Sequence, residues 1–170
     1  NLKRLTLNPV EEDEFIDKDI NIRDYLHEII SSFKEISKKE FVFNFDQDSN
    51  PKKISKSIEI VYGLRNFIGN ANKFTKNSIF INLKSDSEFT EITVEDDGNG
   101  YPRDIISKIG EPYLKSNYSK DKSKEGLGLG LFIGKTLLEK NFASVNCRNS
   151  KTRGGAEVVI RWKNKELFNI

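Results

Sequence analysis

The chain has 170 residues, enough for one domain with a sizeable core and too few for two domains of ordinary size. Lys and Arg number 28 against 26 Asp and Glu, a formal charge of +2, so no strong overall field draws it to nucleic acid or to an anionic membrane. A lone cysteine, Cys147, excludes an internal disulfide and a cysteine-based zinc site, and no run reaches the roughly 18 to 20 apolar residues of a membrane helix.

Residues 1–20, NLKRLTLNPVEEDEFIDKDI, start apolar, meet Pro9 and then turn acidic; they read as the end of an upstream helix followed by a linker. With no methionine anywhere, the chain is expected to be cut from something larger. From Ile22 to about Ile36 apolar residues recur at steps of three and four, the period of an amphipathic helix, with Asn21 placed to cap it. FVFNF (Phe41 to Phe45) reads as a strand, and a second helix is expected from about Ser57 to Phe74. SIFINLKS (Ser78 to Ser85) and FTEITVED (Phe89 to Asp96) alternate on either side of a short turn, which predicts an antiparallel hairpin.

Between about Gly98 and Gly126 the pattern loosens, apart from a short helical piece around Arg103 to Ile109. Connections of that length in a compact domain are usually lids or binding loops, or disordered. A helix follows over Leu129 to Lys140, then strands over Ala143 to Asn149 and Ala156 to Trp162 separated by the basic turn SKTRGG. Strands and helices without strict alternation predict a two-layer sandwich, one sheet face under helices and the other solvated.

Three stretches carry candidate chemistry. In EGLGLGLFIGKTL, the expected helix begins among Gly126, Gly128 and Gly130, where backbone N–H groups can approach an anion at its positive end; a flexible hinge is the alternative. Neither common phosphate motif fits, because position 131 is Leu131 where a dinucleotide fingerprint needs glycine, and position 129 is Leu129 where a P-loop ending in Gly134-Lys135-Thr136 needs one. VEDDGNGY (Val94 to Tyr101) sets Asp96 at the end of an apolar strand, where it can accept from an exocyclic amine, with Gly98 and Gly100 letting a flat ring lie against backbone; a plain Asp-Gly turn reads the same way. In NFIGNANKFT, Asn66, Asn70 and Lys73 share one helix face, an arrangement suited to Mg²⁺ and phosphate or simply to water.

In this order the three stretches resemble the N box and the two glycine boxes of the catalytic ATP-binding domain of sensor histidine kinases, in the superfamily that holds the gyrase, heat-shock-protein-90 and mismatch-repair ATPases. EPYLKS (Glu111 to Ser116) resembles the F box and GGAEV (Gly154 to Val158) the closing strand, so the likeness runs from about Ile22 to Lys163. GEPYLKS, LGLGLFIGKTLLEK and Arg148-Asn149 followed by Gly154-Gly155-Ala156 look most like the redox-responsive RegB/PrrB type. The resemblance implies the α+β two-layer (Bergerat, GHKL) sandwich: a mixed, mostly antiparallel sheet of about five strands with about three helices on one face, over residues 21–170.

It also implies ATP and Mg²⁺ as cofactors. Asn70 would hold Mg²⁺, with Asn66 and Lys73 near the phosphates and Phe74 packing by the nucleotide. Asp96 would receive the adenine amino group, with Gly98 and Gly100 lining the base. Tyr113 stands in the F box where phenylalanine is usual. Gly126, Leu127, Gly128, Leu129 and Gly130 would shape the phosphate end of the lid, Ala156 belongs to the closing strand, and Lys115, Lys120, Lys122 and Lys124 could screen the triphosphate.

Hydrolysing relatives carry a glutamate four residues before the metal-binding asparagine; here that position is Asn66, which has no useful basicity. The site then suits phosphoryl transfer to an external nucleophile, which relies on positioning and charge stabilisation. A hydrolysing clamp and a nucleotide-free module of the same fold are the rival readings.

The only histidine, His27, precedes Asn70 by 43 residues, too few for two dimerisation helices plus the start of the domain. It is therefore expected to be structural, with the phosphoacceptor upstream of Asn1 and no catalytic residue within the chain. The implied partners are the protein's own dimerisation domain, in a homodimer, and a response regulator, with no nucleic acid; the domain would be cytoplasmic and the parent protein anchored in the inner membrane.

Overall fold

The structure is a computed structural model that describes residues 19–46, 53–55, 57–109 and 122–167. Its elements run β1 (Asp19–Asn21), α1 (Ile22–Lys34), β2 (Glu40–Phe45), β3 (Lys53–Ser55), α2 (Ile58–Phe74), β4 (Ser78–Ser85), β5 (Phe89–Asp96), α3 (Arg103–Ile106), α4 (Lys122–Lys140), β6 (Ser144–Asn149), β7 (Ala156–Lys163) and α5 (Asn164–Leu167). The main sheet has five strands in the order β2-β4-β5-β7-β6, with β2 parallel to β4 and every other pair antiparallel. Strand period puts Ile81, Val94 and Val158 in one row across it and Leu83, Ile92 and Ile160 in the next, all buried.

Helices α1, α2 and α4 cover that face, giving the expected α+β sandwich. The other face is polar: Arg153 lies over the Phe80 ring at 3.4 Å and Arg161 over Phe89 at 3.8 Å. Asn21 caps α1 as expected, its side chain accepting from the Arg23 N–H at 2.8 Å, and Ser57 caps α2. α1 stops at Lys34, so Ile36, read as part of the apolar stripe, is 80% exposed and adds nothing to the core.

α2 and α4 pack closely because glycines open the contact. A Cβ on Gly63 would stand 2.6 Å from Leu138 Cγ, and one on Gly134 would stand 2.8 Å from the Phe67 ring. Gly134-Lys135-Thr136 is thus helix interior rather than a phosphate loop, with Lys135 ion-paired to Glu139 one turn on. The expected start of this helix at Leu129 is corrected to Lys122. Gly126, Gly128 and Gly130 are therefore inside α4, where N–H groups beyond the first four are taken up by the helix ladder instead of forming an anion cradle. The strand β1, paired to β3 with Ile20 opposite Ile54, falls where a linker was expected for residues 19 and 20, and the rest of residues 1–20 lies outside the described residues.

Candidate functional site

The asparagine stripe of α2 meets α4 at one point. Asn70 lies against Gly130: a Cβ there would approach Nδ2 to 3.1 Å and Oδ1 to 3.2 Å, so any larger residue would press on the amide. Asn70 Nδ2 is buried without a hydrogen-bond partner among the described residues. Burying an amide unpaired costs roughly 1–3 kcal/mol, which singles out this side chain as one shaped for something other than folding. A half-turn of the amide would present its oxygen in place of the nitrogen. The neighbouring candidates are less constrained: Asn66 donates to the Tyr62 carbonyl of its own helix (2.7 Å), and the Lys73 ammonium is 5.3 Å from the Phe74 ring centre.

Phe74 ends α2, about 6 Å along the axis from Asn70, and its carbonyl abuts the loop after β5. A Cβ on Gly98 would stand 2.2 Å from Phe74 O, so the loop passes under the helix end only because residue 98 has no side chain. Asp96 is 3% exposed, and its Oδ1 accepts from Gly98 N (2.8 Å) and Ala156 N (3.3 Å). Both bonds fall on one oxygen, and no described residue donates to the other. Burial raises its carboxyl above the ordinary value, against the pull of the two N–H groups, and the Asp97 and Glu95 carboxylates push the same way. Gly155 completes the wall, since a Cβ there would come within 2.1 Å of Asp96 O.

Asp97 was not singled out in the sequence, and it fastens the loop. It accepts from Thr75 Oγ1 (2.5 Å) and from the backbone N–H groups of Lys76, Asn77 and Ser78. Burial works against its charge, yet these four bonds outweigh it and lower the carboxyl to about 2 from 3.8. A depressed carboxylate stabilises the fold above its unfolded value and loses that contribution as pH falls toward 2. Asp97→Ala should cost roughly 1–2 kcal/mol near neutrality, after allowing for solvent screening. Thermal melts from pH 7 down to 2 should show variant and parent converging at the acid end.

The structure thus brings Asn70 to Gly130, Phe74 to Gly98, and Ala156 to Asp96, all at one end of the α2 and β5 layer. Gly100 takes φ +78° in the same loop. Gly128 is buried, whereas Leu129 is 49% exposed; Gly126 and Leu127, with Lys122 and Lys124, are placed only as α4 backbone. Tyr113, Lys115 and Lys120 lie outside the described residues, as does the whole F box. His27 is exposed on α1, its ring edge-to-face with Phe43 of the edge strand at 4.8 Å. His27→Ala should cost under about 1 kcal/mol in a denaturant melt.

Residues 55–166 match the family of histidine kinase-, DNA gyrase B-, and HSP90-like ATPases. Over 97 residues the chain is 38% identical to the sensor histidine kinase RegB of Cereibacter sphaeroides, an alignment covering 54% of the chain and 21% of RegB, so the likeness spans about a fifth of that relative. The catalytic domain of the histidine kinase ThkA superposes with a TM-score of 0.69 at 19% identity, over 86% of this chain and 96% of that one. Full-length ShkA, in complex with AMPPNP, gives 0.68 at 20%, over 85% of this chain and 30% of ShkA. At such identities these two show the shared fold. None of the helices among the described residues is long and apolar enough to cross a membrane. With the family profile covering residues 55–166, about two thirds of its length, the chain belongs to the histidine kinase-, DNA gyrase B- and HSP90-like ATPase family.

Proposed function

We propose that this chain binds Mg-ATP and presents the γ-phosphate to a histidine on a dimerisation domain outside the chain, for relay to a response-regulator aspartate. The observation that carries the reading is Asn70: a half-buried amide whose Nδ2 is buried and unpartnered among the described residues, seated against Gly130. Turned about, the amide offers its oxygen to a hard cation, which prefers oxygen ligands and keeps several waters. Mg²⁺, when bound, would neutralise the charge of the phosphates there. Asp96 supports the base end, with one carboxylate oxygen occupied by backbone N–H groups and the other left for an exocyclic amine.

Transfer is favoured over hydrolysis by Asn66. Its Nδ2 is bound to the Tyr62 carbonyl, and an amide at that place cannot take a proton from water. His27 is poorly suited as the acceptor, since its ring packs on Phe43 of the edge strand. The whole protein would act as a homodimer through its dimerisation helices, with a membrane anchor beyond this domain.

Calorimetric titration with Mg-AMPPNP tests the binding step, and an affinity tighter than millimolar is expected. Adding the upstream dimerisation helices and ATP should then yield acid-labile phosphate on a histidine other than His27. No binding at millimolar nucleotide would overturn the reading, and label on His27 would overturn the assignment of the acceptor.

A further inference from the structure

The Gly98–Tyr101 loop is held at two ends, and only one of them belongs to Asp96. At the other end stands Asn149, the last residue of β6, whose side chain makes paired bonds to one residue's backbone. Tyr101 N donates to Asn149 Oδ1 at 2.6 Å, and Asn149 Nδ2 donates to Tyr101 O at 3.1 Å. The amide copies what a neighbouring strand would offer, on a segment that has no strand beside it. Gly100 lies directly against it: with φ +78°, a Cβ at Gly100 would stand 2.7 Å from Asn149 Oδ1. Asn149 therefore occupies the space that a side chain at position 100 would need, and fixes the left-handed turn.

The same strand face also holds the Tyr101 side chain, because Cys147 lies two residues before Asn149 and its thiol meets the buried Tyr101 hydroxyl. Asn149 pairs in register with Ala156, whose N–H donates to Asp96. One rung of the β6–β7 hairpin thus reaches both ends of the loop.

We propose that Asn149 is a positioning residue for the base end of the nucleotide site: its paired hydrogen bonds to Tyr101 hold the Gly98–Tyr101 loop in the shape that receives adenine beside Asp96. The inference rests on the nucleotide-binding reading above. A loop already ordered before binding loses less entropy on binding, so releasing it should weaken affinity without changing any ligand contact.

The test compares this chain with Asn149→Ala and Asn149→Asp by titration with Mg-AMPPNP at a temperature where all are folded, together with hydrogen exchange at the Tyr101 and Gly98 amides. Asn149→Ala should weaken binding about tenfold, the scale of two neutral hydrogen bonds, and speed exchange at Tyr101 while Gly98, bound to Asp96, stays protected. Asn149→Asp keeps the acceptor but sets a carboxylate oxygen against the Tyr101 carbonyl, so it should bind no better than Asn149→Ala. Unchanged AMPPNP affinity in Asn149→Ala overturns the proposal. So does a loss accompanied by faster exchange throughout the sheet, which marks a purely structural residue. A parent chain that fails to bind AMPPNP overturns the nucleotide reading itself, and this inference with it.

Discussion

Replacing Asn70 with alanine is expected to weaken Mg-AMPPNP binding on the order of a hundredfold, the scale of losing a polar group that meets charged ligand atoms. The same change should leave thermal stability unaltered or slightly raised. Asn70 Nδ2 is buried with no partner among the described residues, so its removal abolishes an unpaired polar group and leaves only a small space beside Gly130. A residue kept for folding would behave in the opposite way. Titration in the presence of a chelator separates the cation from the nucleotide: the gap between parent and variant should narrow sharply without Mg²⁺. If Asn70→Ala binds like the parent with Mg²⁺ present, the metal role is lost; if it melts several degrees lower, the side chain is structural.

Much of this arrangement was legible in the sequence, and the legible parts share a physical cause. Alternation in SIFINLKS and FTEITVED is a direct record of one buried and one solvated face, and the hairpin follows it with the expected bounds. Asn66, Asn70 and Lys73 share a helix face by spacing alone, and the structure keeps them on α2. The short strands β1 and β3 escaped because three residues each, DIN and KIS, hold too little pattern to distinguish them from loop.

The start of α4 was misplaced for a different reason. Glycines at every second position signal a break, so Gly126 and Gly128 read as loop, yet α4 runs through both with Gly128 buried, and local pattern carries no trace of a helix partner. The roles of Asp97 and Asn149 are hidden from the sequence on similar grounds. Their work is done on the Thr75 hydroxyl and on the backbone of residues 76–78 and 101, and a side chain's reach to such distant groups is fixed only once the sheet has formed.

Gly98→Ala is expected to be among the most damaging single methyl additions in the domain. Its Cβ would stand 2.2 Å from the Phe74 carbonyl oxygen and 3.0 Å from Asp96 Oδ1, and neither is the movable tip of a long side chain. The carbonyl belongs to the last turn of α2, whose following residues are tied to Asp97, so the helix end cannot give way without breaking those bonds. Overpacking against such surroundings costs about 3 kcal/mol, a fall in melting temperature of roughly 6–12 °C for a chain of this size. The loop would also move away from Asp96, removing the Gly98 N–H bond that orients the carboxylate. Affinity for Mg-AMPPNP should therefore drop even at temperatures where the variant remains folded. Asn99→Ala, one residue along and exposed, is the control, with an effect within about 0.5 kcal/mol. Equal melting temperatures for the two variants would show that the loop has slack, and that the close approach of Phe74 to Gly98 is not what shapes the base site.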